Sequence, residues 1–283
     1  MKRIKNFIVF FAILMCFNAV ELYAATNVEE AWDAIKRNDY VDALTLFNDL
    51  ANQGNPEGQY GLGYMYSRGL GVNKDLEESI KFYQQAAKAG HLVAIVNLGY
   101  AYDFALGVPR DQKQAEYWYQ QAANRGDYTG MNNLAYSWVQ SDRNLEQAYD
   151  LIVKVLAHNP DNVSALDTYG WILYKLARYE ESVPPLCQAA LGEPGNPEIR
   201  LHLGDAYWQV GLPDQARQEW QQALDLHKGQ QFLSENGSNY LGVQQTLDWE
   251  NNIHNKIANG IEGTPPLKTD PARFANKCLR PIS

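Results

Sequence analysis

Residues 82–90 read FYQQAAKAG, and residues 118–126 read WYQQAANRG. Six of the nine positions are identical at a shift of 36, and the same shift carries Leu62-Gly63-Tyr64-Met65-Tyr66 onto Leu98-Gly99-Tyr100-Ala101-Tyr102. Thirty-six residues further on stands Leu134-Ala135-Tyr136, after which the period shortens: Tyr169-Gly170-Trp171 and Leu203-Gly204-Asp205 lie 34 apart. A fixed period of this size marks stacked supersecondary units, none of which can bury its apolar face alone.

Within a unit the periodicity is helical. Leu62 and Tyr66 are spaced i, i+4, and Ile80 with Tyr83, Ala86 and Ala87 forms a second stripe, so each unit reads as two amphipathic helices. Asn55-Pro56 reads as a cap followed by a first-turn proline, and Asp75-x-x-Glu78 and Asp111-x-x-Gln114 resemble capping boxes. Gly90 and Gly126 stand where second helices end. Gly63 and Gly99 fall inside first helices, where the missing side chain lets the second helix approach. No stretch alternates with period two for long enough to suggest a sheet. The expected fold is all-α, with about six helix pairs and a terminal capping helix over Gln244–Asn259 that Gly260 stops.

The 36-residue units resemble Sel1-like repeats, whose pattern runs LG-x-x-Y, a GxGV-type loop, an acid, then A-x-x-WY-x-x-AA-x-x-G. The 34-residue units resemble tetratricopeptide repeats: Leu203, Gly204, Tyr207, Ala216, Trp220 and Ala223 match that pattern, with Pro194 closing the unit before. Residues 127–160 are a hybrid of the two, and Val28–Gly54 is a half-strength opening unit. The resemblance implies a right-handed α-solenoid whose first helices line a concave groove. The expected organisation is a signal peptide over 1–24, a Sel1-like array over 25–126, tetratricopeptide-type repeats over 127–228, and a capping helix with an extended tail over 229–283.

Lys2, Arg3 and Lys5 precede the apolar run Phe7–Val20, with Ala24 at the expected cleavage position. These are the parts of a secretory signal, and a run of 14 residues is short for a membrane span. An uncleaved anchor is the alternative. The expected mature chain is exported to the periplasm or secreted, with no further membrane span. The whole chain carries a formal charge of −9, and beyond residue 24 it holds 21 basic against 32 acidic residues. That balance, with no local basic patch, argues against a nucleic-acid partner or an anionic membrane. Two cysteines follow the signal, Cys187 and Cys278. In an exported chain they pair as a disulfide or persist as two thiols.

No catalytic or phosphate-binding motif is present: there is no G-x-S-x-G, H-E-x-x-H, C-x-x-C or G-x-x-x-x-G-K-[ST]. The histidines stand singly, without the spacing of a helical metal site. The expectation is a monomeric, non-enzymatic protein with no cofactor and no metal. Its candidate surface is a row of rings: Tyr64, Tyr100, Tyr136 and Trp171 occupy one equivalent site in successive first helices. That site lies about 200° from Leu62 around the helix, away from the face that grips the second helix. Phe104, Asn132, Tyr174 and Trp208 flank it, with Tyr60, Arg68, Gln140 and Lys175 as neighbours. The mixture of rings and amides suits an extended peptide or a sugar chain. The rings either face such a ligand or wedge adjacent repeats together. Clamps for a C-terminal carboxylate need clustered Lys, Arg and Asn, and the last two units instead offer Ser164, Asp167, Glu198 and Asp205. The principal expectation is a scaffold for a protein or peptide partner in envelope or cell-wall assembly or host interaction. The alternatives are a glycan, peptidoglycan or exopolysaccharide binder, and an enzyme whose site lies beyond Lys228.

Overall fold

Gly63, Gly99, Gly170 and Gly204 explain how the helices pair. In the computed structural model, which describes residues 26–233 and 243–261, each sits where its first helix presses on the second. A Cβ at Gly99 would lie 2.5 Å from the Tyr119 ring, one at Gly170 2.5 Å from Leu186, and one at Gly204 2.5 Å from Trp220. The residue met by each glycine has the same place in its own helix. The fold is therefore a repeated contact of glycine against a large side chain.

Thirteen helices and no strand occur among the described residues. They are α1 (26–36), α2 (Tyr40–Asn52), α3 (Pro56–Arg68), α4 (Leu76–Lys88), α5 (Leu92–Asp103), α6 (Gln112–Asn124), α7 (Tyr128–Gln140), α8 (Leu145–His158), α9 (Val163–Lys175), α10 (Tyr179–Gly192), α11 (Pro197–Gln209), α12 (Pro213–Leu233) and α13 (Val243–Asn259). The odd-numbered helices through α11 are first helices and the even-numbered ones second helices. This is the all-α solenoid class of successive helix pairs, with α13 as the helix after the sixth pair.

The caps have the chemistry of the sequence signals. Asn55 Oδ1 accepts the Glu57 N–H at 2.9 Å, Asp75 accepts that of Glu78 at 2.9 Å, and Asp111 accepts those of Lys113 and Gln114 at 3.0 and 3.1 Å. His91 also caps, its Nδ1 accepting the Ala94 N–H at 3.2 Å. Gly69 ends α3 in the left-handed region with φ of 70°. Its repeat counterpart Ala105 takes φ of 56° without being glycine, a conformation that costs an L-residue roughly 1–2 kcal/mol.

The chain forms two compact units, divided between Asp127 and Tyr128. In the first, Phe47, Leu50, Leu62 and Met65 make one core and Ile80, Ile95 and Leu98 another. In the second, three cores follow in chain order, built on Ile152 and Ile172, on Leu186 and Leu203, and on Trp220 and Ile253. Ile253, fully buried, and Ile257 dock α13 onto the last of these. The expected signal segment over 1–24, the expected tail beyond Ile261 and Cys278 lie outside the described residues. Cys187 is disulfide-bonded.

Candidate functional site

The first helices carry the candidate rings, and the two units use them differently. In the first unit, Trp32 of α1 donates its indole N–H to Glu57 Oε1 at 2.8 Å. His91, whose Nδ1 accepts from the backbone, donates from Nε2 to Glu57 Oε2 at 3.0 Å. That bond from His91 holds the Glu57 carboxyl below the usual range, against the opposing effect of partial burial. Tyr60 stacks on His91 with centroids 4.4 Å apart, and burial pushes its hydroxyl up to about 12. Tyr64 meets Trp32 edge to face at 5.5 Å and lies under the Arg68 guanidinium at 4.8 Å. These side chains hold one another.

Helix α5 is different. Tyr100 and Phe104, one turn apart, have centroids 4.3 Å apart and are 40% and 39% exposed. Val93 near the start of the same helix is 47% exposed. Residues 93, 100 and 104 share one helical stripe. It is the exposed apolar portion of the first-helix positions in this unit.

In the second unit the corresponding rings pack against or bond to neighbouring side chains. Tyr136 donates its hydroxyl to the Glu198 carboxylate, and Gln140 Nε2 donates to Tyr136 Oη at 2.7 Å and to Glu198 Oε1 at 3.3 Å. Burial, and then the Glu198 charge, push the Tyr136 hydroxyl well above its ordinary value. Trp171 lies parallel to His202 at 4.1 Å and to Tyr174 at 4.6 Å, with Lys175 Nζ 5.2 Å from its ring centre. Asp167 Oδ1 stands 2.9 Å from His202 Nδ1. Asp205 accepts from Trp220 Nε1 at 2.9 Å and from Lys256 Nζ at 2.8 and 2.7 Å. Trp208 packs into the last core beside Trp220, and Arg217 lies 5.5 Å from its ring centre. Asn132 Oδ1 and Trp171 Nε1 are buried without a hydrogen-bond partner.

The equivalent rings thus have four environments: Tyr64 held by Trp32 and Arg68, Tyr100 beside Phe104 at the surface, Tyr136 bonded to Glu198, and Trp171 stacked in the interior. Polar pairings such as Glu198 with Tyr136, His202 with Asp167 and Lys256 with Asp205 carry no sequence motif. The available signal was the repeat register, since Asp167 and His202 are 35 residues apart and a one-unit shift brings them to adjacent first helices.

The family model of the Sel1 repeat matches residues 56–91 and 92–127, so the chain carries two Sel1 repeats. Among solved structures, a Sel1 repeat protein from Oxalobacter formigenes is similar at 23% identity and a TM-score of 0.53, over 80% of this chain and 98% of that one. A protective antigen with a Sel1-like repeat fold, present in uropathogenic Escherichia coli strains, is similar at 21% identity and a TM-score of 0.56. That match covers 90% of this chain and 61% of the antigen, under two thirds of its length. A tetratricopeptide repeat protein from Parabacteroides merdae is similar at 16% identity and a TM-score of 0.54, over 82% of this chain and 99% of that one. Among curated proteins none matches the sequence.

Proposed function

We propose that this protein is an exported, non-enzymatic scaffold that receives an extended segment of a protein partner on the first-helix face of its first unit. The observation that carries this reading is the exposed stripe of Val93 and Tyr100 on α5 and Phe104 at its C-cap. The equivalent ring Trp171 is 9% exposed, against 40% for Tyr100. Aromatic side chains lose little rotamer freedom on binding and bury large areas, which makes them effective anchors for a partner. Repeat scaffolds of this fold are suited to protein binding because stacking lines up equivalent helices as one surface.

The paired variant Tyr100→Ala with Phe104→Ala is expected to fold normally by circular dichroism and to lose more than tenfold of crosslinked capture from a native envelope extract. Capture equal to that of the unchanged protein would sink the reading. Binding of defined muropeptides or an exopolysaccharide through the same two rings, with no protein captured, would select the glycan alternative.

Export draws support from the amino-terminal segment and from the disulfide at Cys187, because such bonds persist in oxidising compartments. The partner we propose is Cys278. Intact mass before and after reduction should then differ by about two hydrogens, and cleavage mapping should recover the 187 and 278 peptides joined. Two free thiols in protein purified from the envelope would remove this support.

A further inference from the structure

His202 lies on α11, the last first helix of the second unit, 97% buried, and the binding surface proposed on α5 does not use it. One nitrogen faces Asp167 on α9 at 2.9 Å, and the ring face is covered by Trp171. Its own helix adds Glu198 one turn before it and Asp205 three residues after it. Glu198 is tied to Tyr136 and Gln140 of α7, so the first helices of three successive pairs meet in one polar chain. Asp205 is matched by Lys256 of α13 and by the Trp220 N–H of α12, and the hydroxyl of Tyr174 on α9 is raised by burial first and by Asp205 next. Arg200 on α11 and Glu219 on α12 neutralise each other at 2.8 Å. Lys175 on α9, over the Trp171 ring, pairs with Asp142 at 2.8 Å, so with His202 neutral Asp167, Glu198 and Asp205 share the Lys256 charge among the described residues. With His202 charged, three carboxylates face two cations.

We propose that His202 is a pH-responsive latch: its protonated ring holds α9 and α11 together among three carboxylates, and loss of that proton loosens this face of the second unit. Burial alone would drive the proton off, but Asp167, followed by Glu198 and Asp205, outweighs burial and holds the ring's titration point above 6.5. A group raised in this way stabilises the closed state fully below the ordinary histidine value, and the contribution fades as pH rises to the folded titration point. Opening of α9 and α11 therefore grows by up to about tenfold per pH unit above roughly pH 6.5, then levels off where His202 itself titrates in the closed form. Trp171, whose buried indole N–H has no acceptor, is released with it.

The test is amide hydrogen exchange of the full chain between pH 5.5 and 9, corrected for intrinsic exchange, with the His202 ring titrated by NMR on the same samples. The expected results are a His202 titration point above 6.5, and protection in α9 and α11 that falls with the slope given above while α2 and α6, which carry no histidine, stay flat. His202→Gln should abolish the slope. If that variant does not fold, Glu198→Gln changes an exposed carboxylate and should lower the His202 titration point and shorten the pH range of the slope. A titration point at or below 6.5, a slope unchanged in His202→Gln, or a titration point unmoved by Glu198→Gln overturns the proposal. None of these readouts involves a partner, so failure of the peptide reading would leave the latch standing, and the reverse.

Discussion

Asp205→Ala is expected to destabilise the second unit by about 3–5 kcal/mol, because it removes one partner of a buried charge pair and leaves the other uncompensated. Asp205 is 4% exposed and receives both the Lys256 ammonium and the Trp220 indole N–H. Its loss strands a cation whose side chain is 16% exposed and an N–H on a fully buried ring. Because Lys256 belongs to α13, the terminal helix should come away first, seen as lost amide protection over Val243–Asn259. The pair Asp205→Leu with Lys256→Met should recover most of the loss, since two matched apolar residues avoid burying an unpaired charge. A thermal or denaturant shift worth less than about 1 kcal/mol for Asp205→Ala would mean that the pair is hydrated rather than buried.

The second large effect is expected at Gly99. A Cβ there falls 2.5 Å from two ring carbons of Tyr119, and that ring is 1% exposed, with no room to withdraw. Gly99→Val forces α5 and α6 apart, an overpacking cost of about 2–3 kcal/mol that exceeds the few tenths gained in helix propensity. Combining it with Tyr119→Ala should be far better tolerated than the sum of the two single changes, because the new side chain enters the space the ring leaves. Denaturant unfolding of the four proteins measures this coupling. Strict additivity would refute the close-approach account of the repeat glycine. Ala135 is the natural exception: it shares its core with Ile152, the residue equivalent to Tyr119, which is aliphatic rather than a ring.

The helix pairs and their caps were legible residue by residue. Gly63 recurring as Gly99, and Asp75 as Asp111, reports local geometry, which depends on neighbours within a few positions. The terminal helix was legible to within one residue, from the Ile253 and Ile257 stripe and the stop at Gly260. The ring row was legible as a register and not as a surface. Trp171 and Tyr100 occupy equivalent places, yet one is buried under His202 while the other is 40% exposed beside Phe104. The difference arises from what the neighbouring helix presents, and no pattern within a single repeat encodes that.

The amino-acid sequence by itself determined the all-α class, the period, the pairing of helices and the place of each glycine, because each rests on short-range packing repeated at a fixed spacing. Only the tertiary structure decided which of the equivalent side chains lie at the surface and which are buried. Bonds such as Tyr136 to Glu198, 62 residues away, and Lys256 to Asp205, 51 residues away, form only when helices distant in the chain are brought into contact. Burial then strengthens the interior pairs such as His202 with Asp167, since a carboxylate and an imidazole removed from water attract one another more firmly than the same groups at a solvated surface.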